Sequence, residues 1–244
     1  MGRILAFLYG VICYLIFFVT FLYAIGFVGN VFVPKAIDTG VASPPLSPAL
    51  IIDALLLSLF AVQHSVMARQ WFKRAWTKIV PSPVERSTYV LLASLILLLL
   101  FWQWQPMGPV IWEIHNPTAR MLLQALFWIG WGSVLVSTYL VDHFALFGLK
   151  QVYRFLKGSA EEPIPFKSPG LYKVVRHPLY LGFIIAFWST PRMTFGHLFF
   201  AFMTTAYIVL AIQFEERDLV HSYGDTYRVY RQRVSMLIPL PRRK

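Results

Sequence analysis

"VVRHPLYLGFIIAFWSTPRMTFG" occupies Val174–Gly196, and its reading decides how many times the chain crosses a membrane. An arginine, a histidine and a proline stand directly against an apolar run at about 178–190. Pro191 follows closely, and "STPRMTFG" (Ser189–Gly196) reads as a tight turn. Proline disfavours helix just before itself, and Gly196 loosens the backbone. A further apolar run lies at 194–214, so the two are expected to pair as a helical hairpin.

Four more apolar segments precede this pair, at about 4–29, 48–67, 87–105 and 119–141. A span needs about 20 residues if upright. The composition agrees: 57% of the 244 residues are hydrophobic and only 14% are charged, where a soluble domain carries about 25% charged. The expected fold is all-α, a polytopic integral membrane protein of about six transmembrane helices. Two regions are expected: residues 1–142, four helices on the acceptor side, and residues 143–244, a loop, the hairpin and a tail. The run from Ile4 to Val33 is too long for a cleavable signal peptide.

Charge sets the orientation. Nineteen of the 22 Lys and Arg fall at the N-terminus, in the loops before segments three and five, or in the tail. Six crossings put all of these on one face, which the positive-inside rule makes the cytoplasm. Both termini are then cytoplasmic, and a bacterial inner membrane is the expected location. A five-segment count would leave one basic loop on the wrong face. The opposite face carries the proline-rich connectors "VASPPLSP" (Val41–Pro48) and "QPMGP" (Gln105–Pro109). The net charge of +11 is therefore a topology signal, and no nucleic-acid partner is expected. The one cysteine, Cys13, reads as a small buried hydrophobe, and no Cys/His spacing for a metal exists.

Polar residues with chemical range cluster at the cytoplasmic ends. These are Gln63, His64 and Ser65; Glu85, Arg86 and Tyr89; Asp142 and His143; Arg176, His177 and Tyr180; and Glu215, Glu216, Arg217 and Asp218. Polar groups at membrane depth are costly and face an interior or a wet cavity. Each also has a plain structural reading: a helix–helix hydrogen bond for His64, an interfacial cap for Asp142 and His143, a snorkelling anchor for Arg176. The start of segment five offers more. Pro178 suits the first helical position. The free N–H groups and dipole there favour an anion, a preference that Arg176 and His177 reinforce. Tyr180 lies on the face of His177, and Gly182 admits a close neighbour. A hairpin returns a segment-six glutamate to the same level. Anion and cation sites so paired suit a zwitterionic ligand with a methionine-like head.

"GLYKVVRHPLYLG" (Gly170–Gly182) with "EERDLVHSYGDTYRVYRQRVSMLIP" (Glu215–Pro239) resembles the C-terminal half of the isoprenylcysteine carboxyl methyltransferase and phospholipid methyltransferase families. "QHSVMARQWFK" (Gln63–Lys73), "VERSTYVL" (Val84–Leu91) and "DHFALFGLKQV" (Asp142–Val152) resemble the nurim-related branch. Taken together, the chain resembles the bacterial methanethiol S-methyltransferase family. The resemblance implies a membrane enzyme that uses S-adenosyl-L-methionine to methylate a small thiol, methanethiol to dimethyl sulfide. It implies cofactor contacts at Tyr172, His177, Pro178, Leu179, Tyr180 and Glu215. Phe166 and Lys167 fall in the stretch bordering the adenosine, although "FKSPG" departs from the usual threonine-glycine approach. Gly170 and Gly182 match as backbone positions. Arg176 and Glu216 match too, either at the cofactor or as a salt bridge tying hairpin to tail. The tail would fold back as a lid.

Methyl transfer from a sulfonium to a thiolate needs no metal. An alkyl thiol is mostly protonated at neutral pH, so a base helps. His64, His143 and Glu85 are the candidates, in that order, with Arg86 or Arg176 in electrostatic support. A lipid, quinone or isoprenyl-thiol acceptor is the alternative within methyltransferases. An NADPH-dependent sterol-type reductase and a non-catalytic membrane scaffold are the alternatives outside them. Oligomeric state is left open.

Overall fold

The structure, a computed structural model, describes residues 2–39, 46–159 and 166–239. Val41–Pro45 of the first proline-rich connector, Ile164 and Pro165 beside the adenosine stretch, and Arg242–Lys244 of the tail lie outside the described residues. The described chain is overwhelmingly helical. In order it runs α1 (Arg3–Gly29), α2 (Leu46–Ala68), α3 (Gln70–Trp76), α4 (Ser82–Gln103), β1 (Val110–Glu113), α5 (Pro117–Val141), α6 (His143–Leu146) and α7 (Leu149–Lys157). A 3-10 turn at Gly170–Lys173 leads to α8 (Pro178–Trp188), β2 (Arg192–Thr194), α9 (Phe195–Tyr223) and α10 (Asp225–Arg233). Five helices, α1, α2, α4, α5 and α9, are long and apolar enough to cross a membrane. The protein is an all-α polytopic membrane protein.

The chain divides into two compact units. The first holds residues 1–109, 143–162 and 194–197, and the second holds 110–142, 163–193 and 198–244.

In the first unit α4 lies against α1 and α2, and α7 packs on α1 and α4. Gly10 of α1 faces Val152 of α7, where an added Cβ would come within 2.5 Å of a valine methyl. Ala6, Val84 and Val152 form the buried contact there. At the other end of α1, Asn30 takes the left-handed conformation that ends the helix. Its amide then donates to Asp38 at 2.7 Å. Asp38 also accepts from the Thr194 hydroxyl and lies 3.5 Å from the His197 ring. These bonds hold its carboxyl below the usual carboxylate range despite its burial. The N–H groups of Phe195 and Gly196 bond to the carbonyls of Pro109 and Met107, securing the Thr194–His197 stretch.

In the second unit α5 and α8 pack closely because both offer small residues. An added Cβ on Gly182 would come within 2.7 Å of the Gly130 carbonyl oxygen. One on Gly130 would come within 2.7 Å of the Gly182 oxygen and the Ala186 nitrogen. Small residues four apart on α8 let two backbones touch, the usual device where no hydrophobic effect drives helices together.

The expected hairpin is present. Trp188 donates to Thr205 at 3.0 Å, the Phe187 and Phe200 rings lie 5.1 Å apart, and Tyr180 donates to Glu215 at 2.8 Å. One arm differs from expectation. α8 has only 11 residues, a rise of about 16 Å, which cannot cross a core of about 30 Å by itself. The chain then turns at Ser189, where the Thr190 N–H bonds to the Trp188 carbonyl, bends at Pro191 and enters β2. Backbone polar groups beyond the helix find partners within the chain. β2 pairs with β1, the Pro191 carbonyl accepts from Ile114 N–H, and the Thr190 carbonyl accepts from the Trp112 indole. Segment five is thus a short helix followed by a turn and a three-residue strand, the helix ending just before Ser189 and Pro191.

The tail folds back onto the start of α8. Gly224, at φ 54°, breaks α9 from α10, a conformation natural only to glycine. After α10, Ser235 bridges in parallel to Val175, and the carbonyls of Ser235 and Met236 accept from the N–H groups of Arg176 and His177. The Arg176 guanidinium, 6% exposed, donates to Glu216 at 2.7 Å and to the carbonyls of Arg231 and Val234 at 3.0 and 2.6 Å. Arg176 and Glu216 are the salt bridge that ties hairpin to tail.

Thermal unfolding tests this packing at two places. Gly182→Leu is expected to destabilise the detergent-solubilised protein by about 1–3 kcal/mol or more through overpacking, lowering its thermal midpoint. Gly132→Leu, at a glycine with open space around it, leaves the midpoint unchanged. Arg176→Met is expected to cost about 3–5 kcal/mol by leaving Glu216 buried without its cation. Adding Glu216→Met to Arg176→Met should restore part of the loss, and the thermal midpoints of the single and double variants test this.

Candidate functional site

The second unit gathers the residues named from the start of segment five. His177 caps α8, and Pro178 occupies its first turn as expected. The His177 ring, 4% exposed, lies 3.1 Å from Glu216 Oε1, the oxygen that also accepts from Arg176. Arg231 approaches the second oxygen of Glu216 at 3.8 Å. Two positive or polar groups expected to face a ligand carboxylate therefore meet a carboxylate of the chain itself.

Glu215 points elsewhere, since neighbouring helix residues diverge by about 100°. It is half-buried, and its Oε2 accepts from Tyr180. Its other oxygen has no hydrogen-bond partner among the described residues. The rings of His177 and Tyr180 lie 5.7 Å apart, in keeping with a shared face. Leu179 is half-buried beside them. Gly182 lies one turn on and is taken up by the contact with α5.

The 3-10 turn brings in Gly170 and Tyr172. Gly170 sits at φ 51° against Leu140 of α5. The Tyr172 hydroxyl reaches the Ser137 carbonyl at 3.5 Å, and its own carbonyl accepts from Tyr230 at 2.6 Å. Phe166 sits among three tail tyrosines, with ring centroids 5.4 Å from Tyr223, 5.7 Å from Tyr227 and 5.2 Å from Tyr230. Burial pushes the phenols of Tyr172 and Tyr227 up, and that of Tyr230 up to about 12, so all three remain protonated donors. Lys167 is exposed.

The base candidates lie in the first unit and form two histidine–tyrosine pairs. The Tyr89 hydroxyl of α4 is 3.0 Å from each ring nitrogen of His64 on α2. Phe60 stacks on the same imidazole at 5.1 Å. The Arg86 guanidinium lies 4.9 Å from the Tyr89 ring and donates to the Leu146 carbonyl at 2.7 Å. His143, 4% exposed, meets the Tyr14 hydroxyl at 2.9 Å and packs edge-on against Phe144 and Phe147. Burial pushes its pKa down, which keeps the imidazole neutral and able to accept a proton. Glu85 sits half-buried in the first turn of α4.

Tyr14 is not visible as a partner in the sequence, since one tyrosine inside an apolar run carries no local signal. Tyr89 has one: it stands three residues beyond Arg86, on the same helix face. Tyr227 belongs to the G-x-x-Y-x-x-Y pattern (Gly224–Tyr230), but its burial does not show in spacing.

Over 243 residues the chain is 56% identical to "Methanethiol S-methyltransferase" of Mycobacterium tuberculosis, covering 100% of this chain and 99% of that one. It is 58% identical over 237 residues to "Methanethiol S-methyltransferase 1" of Bradyrhizobium diazoefficiens, covering 97% and 83%. "Nurim" of Mus musculus is 35% identical over 176 residues, covering 68% of this chain and 66% of that one. No family model and no solved structure matches the sequence. With more than half of its residues identical to proteins of that name along its whole length, the chain belongs to the nurim-related methanethiol S-methyltransferase family.

Proposed function

We propose that this protein is an S-adenosyl-L-methionine-dependent thiol methyltransferase that converts methanethiol to dimethyl sulfide. The observation that carries the reading is identity above 50% over essentially the whole chain to proteins named for that reaction. Bound S-adenosylmethionine supplies a methyl group activated on a sulfonium, so a thiolate is nucleophile enough and no metal is required.

The residues of the second unit fit such a donor in chemical character. The half-buried Glu215 carboxylate has an oxygen to spare for an ammonium group. The first turn of α8, at Pro178–Tyr180, presents the N–H end of a helix to a carboxylate. Phe166 and the tail tyrosines offer an uncharged aromatic setting for a nucleobase. Tyr172, Tyr180, Leu179 and His177 line these features, with Lys167, Gly170 and Gly182 as neighbouring backbone positions. Arg176 and Glu216 act by holding the tail in place, and α10 serves as the lid. Residues 143–244 then carry the cofactor and residues 1–142 the acceptor, with His143 at the boundary serving the acceptor side.

On the acceptor side His64 takes the thiol proton onto a ring nitrogen while Tyr89 fixes the ring's orientation. His143, held neutral and bonded to Tyr14, is the second candidate, and Glu85 the third. Arg86 lends positive potential to the thiolate that forms. A small thiol needs only a small dry cavity, in which dehydration and positioning contribute much of the rate. The basic loops and tail favour cytoplasmic termini and a cytoplasmic site at a bacterial inner membrane, on the side where the methyl donor is made.

Membranes containing the protein, supplied with S-adenosylmethionine and methanethiol, should release dimethyl sulfide measurable by headspace gas chromatography. A folded preparation that releases none, yet methylates a lipid or isoprenyl thiol, overturns the small-thiol assignment. The roles of the two units separate in mutants. His64→Ala should lower turnover by about a hundredfold or more, the usual effect of losing a general base, while cofactor affinity by titration calorimetry stays unchanged. Glu215→Gln should weaken cofactor binding about tenfold, the loss of a charge-assisted hydrogen bond. Unchanged affinity in Glu215→Gln removes that residue from the site.

A further inference from the structure

The second unit contains a polar atom for which the fold supplies no use. Tyr227 of α10 is 2% exposed, and its phenol oxygen is closed to solvent with no hydrogen-bond partner among the described residues. Its neighbours differ. Tyr172 donates to Ser137, Tyr180 to Glu215 and Tyr230 to Tyr172. A buried hydroxyl left unpaired is disfavoured relative to a paired one. Phenylalanine would fill the same space without that cost.

The surroundings of the hydroxyl narrow what it can meet. Its ring stands edge-on to Phe166 at 5.7 Å and lies 5.7 Å from Tyr230. Glu216, Arg176 and Glu215 all act on it electrostatically, yet none accepts its proton. Glu216 is occupied by Arg176 and His177, and Glu215, which accepts from Tyr180, makes no hydrogen bond to it. With no acceptor for it among the described residues, the partner that fits is a ligand group, uncharged and suited to a cluster of four aromatic rings. A purine ring nitrogen or a ribose oxygen has this character: flat or compact, uncharged, and able to accept a hydrogen bond beside stacked π-faces.

We propose that the Tyr227 hydroxyl hydrogen-bonds the nucleoside end of the adenosyl cofactor, making α10 a specificity element of the binding site. This rests on the reading of the second unit as the cofactor site. Phe166, Tyr223 and Tyr230 supply the aromatic surround, and Tyr227 the single polar contact within it. The tail thereby reads the nucleoside while Glu215 reads the amino-acid end.

The test uses the full-length protein in detergent, with two ligands that share the nucleoside: S-adenosylhomocysteine, and methylthioadenosine, which lacks the amino acid. Tyr227→Phe is expected to weaken both by the same factor, about three- to tenfold, the effect of losing one neutral hydrogen bond. Its thermal midpoint without ligand should stay level or rise, because an unpaired buried hydroxyl has gone. Tyr230→Phe, which breaks an existing bond to Tyr172, should lower that midpoint instead. Unchanged affinity of Tyr227→Phe for both ligands overturns the assignment. Weakening confined to S-adenosylhomocysteine moves the contact to the amino-acid end and overturns it as well. If the wild-type protein binds neither ligand, the cofactor reading fails, and this inference with it.

Discussion

A guanidinium and a carboxylate shut away from water at the mouth of α8 are the constraint on which the second unit depends. Arg176 directs its donors to Glu216 and to two tail carbonyls. Neither charge could stay buried alone, so the tail must return to the helix start. That return orients the neighbouring groups. With Glu216 turned inward, helix geometry sends Glu215 toward Tyr180. With α10 docked, Tyr230 reaches the Tyr172 carbonyl and the tail aromatics close around Phe166. Arg176 and Glu216, which look from sequence like ligand-binding groups, pair with each other and build the frame.

The first unit solves a different problem. Tyr14, His64 and Tyr89 lie on long apolar helices, where an unpaired imidazole or phenol is costly. His64 is matched to Tyr89 and His143 to Tyr14, each pair joining two helices. Each hydrogen bond offsets part of the cost of burying its imidazole and phenol. Structural and chemical readings of these residues are therefore compatible, since the hydrogen bond that offsets burial also fixes the ring.

Much of this was legible from residue order. The five long helices follow from uninterrupted apolar runs, the α8 start from Pro178, and the hairpin from Pro191 and Gly196. The short strand that ends segment five was not. β1 and β2 are four and three residues long and pair across about eighty residues, so neither carries a periodic signal. The Arg176–Glu216 pair was foreseeable as one of two options, because both residues belong to recognisable motifs. The Tyr14–His143 contact, 129 residues apart, was not, since side-chain partners on separate helices obey no spacing rule. The silent hydroxyl of Tyr227 is the extreme case: only its surroundings make it unusual.

The order of synthesis gives the buried ion pair a further meaning. Arg176 leaves the ribosome forty residues before Glu216. In that interval α8 is an 11-residue apolar stub with a bare cation at its mouth, too short to be retained by a bilayer on hydrophobic length. α9, at 29 residues, is long enough, and it carries both the side chains that grip α8 and the carboxylate that neutralises Arg176. The two segments are thus committed to the membrane as a pair. The neutralising partner arrives at the end of α9, ahead of the tail carbonyls that complete the shell around Arg176, so the charge can be matched before the tail docks.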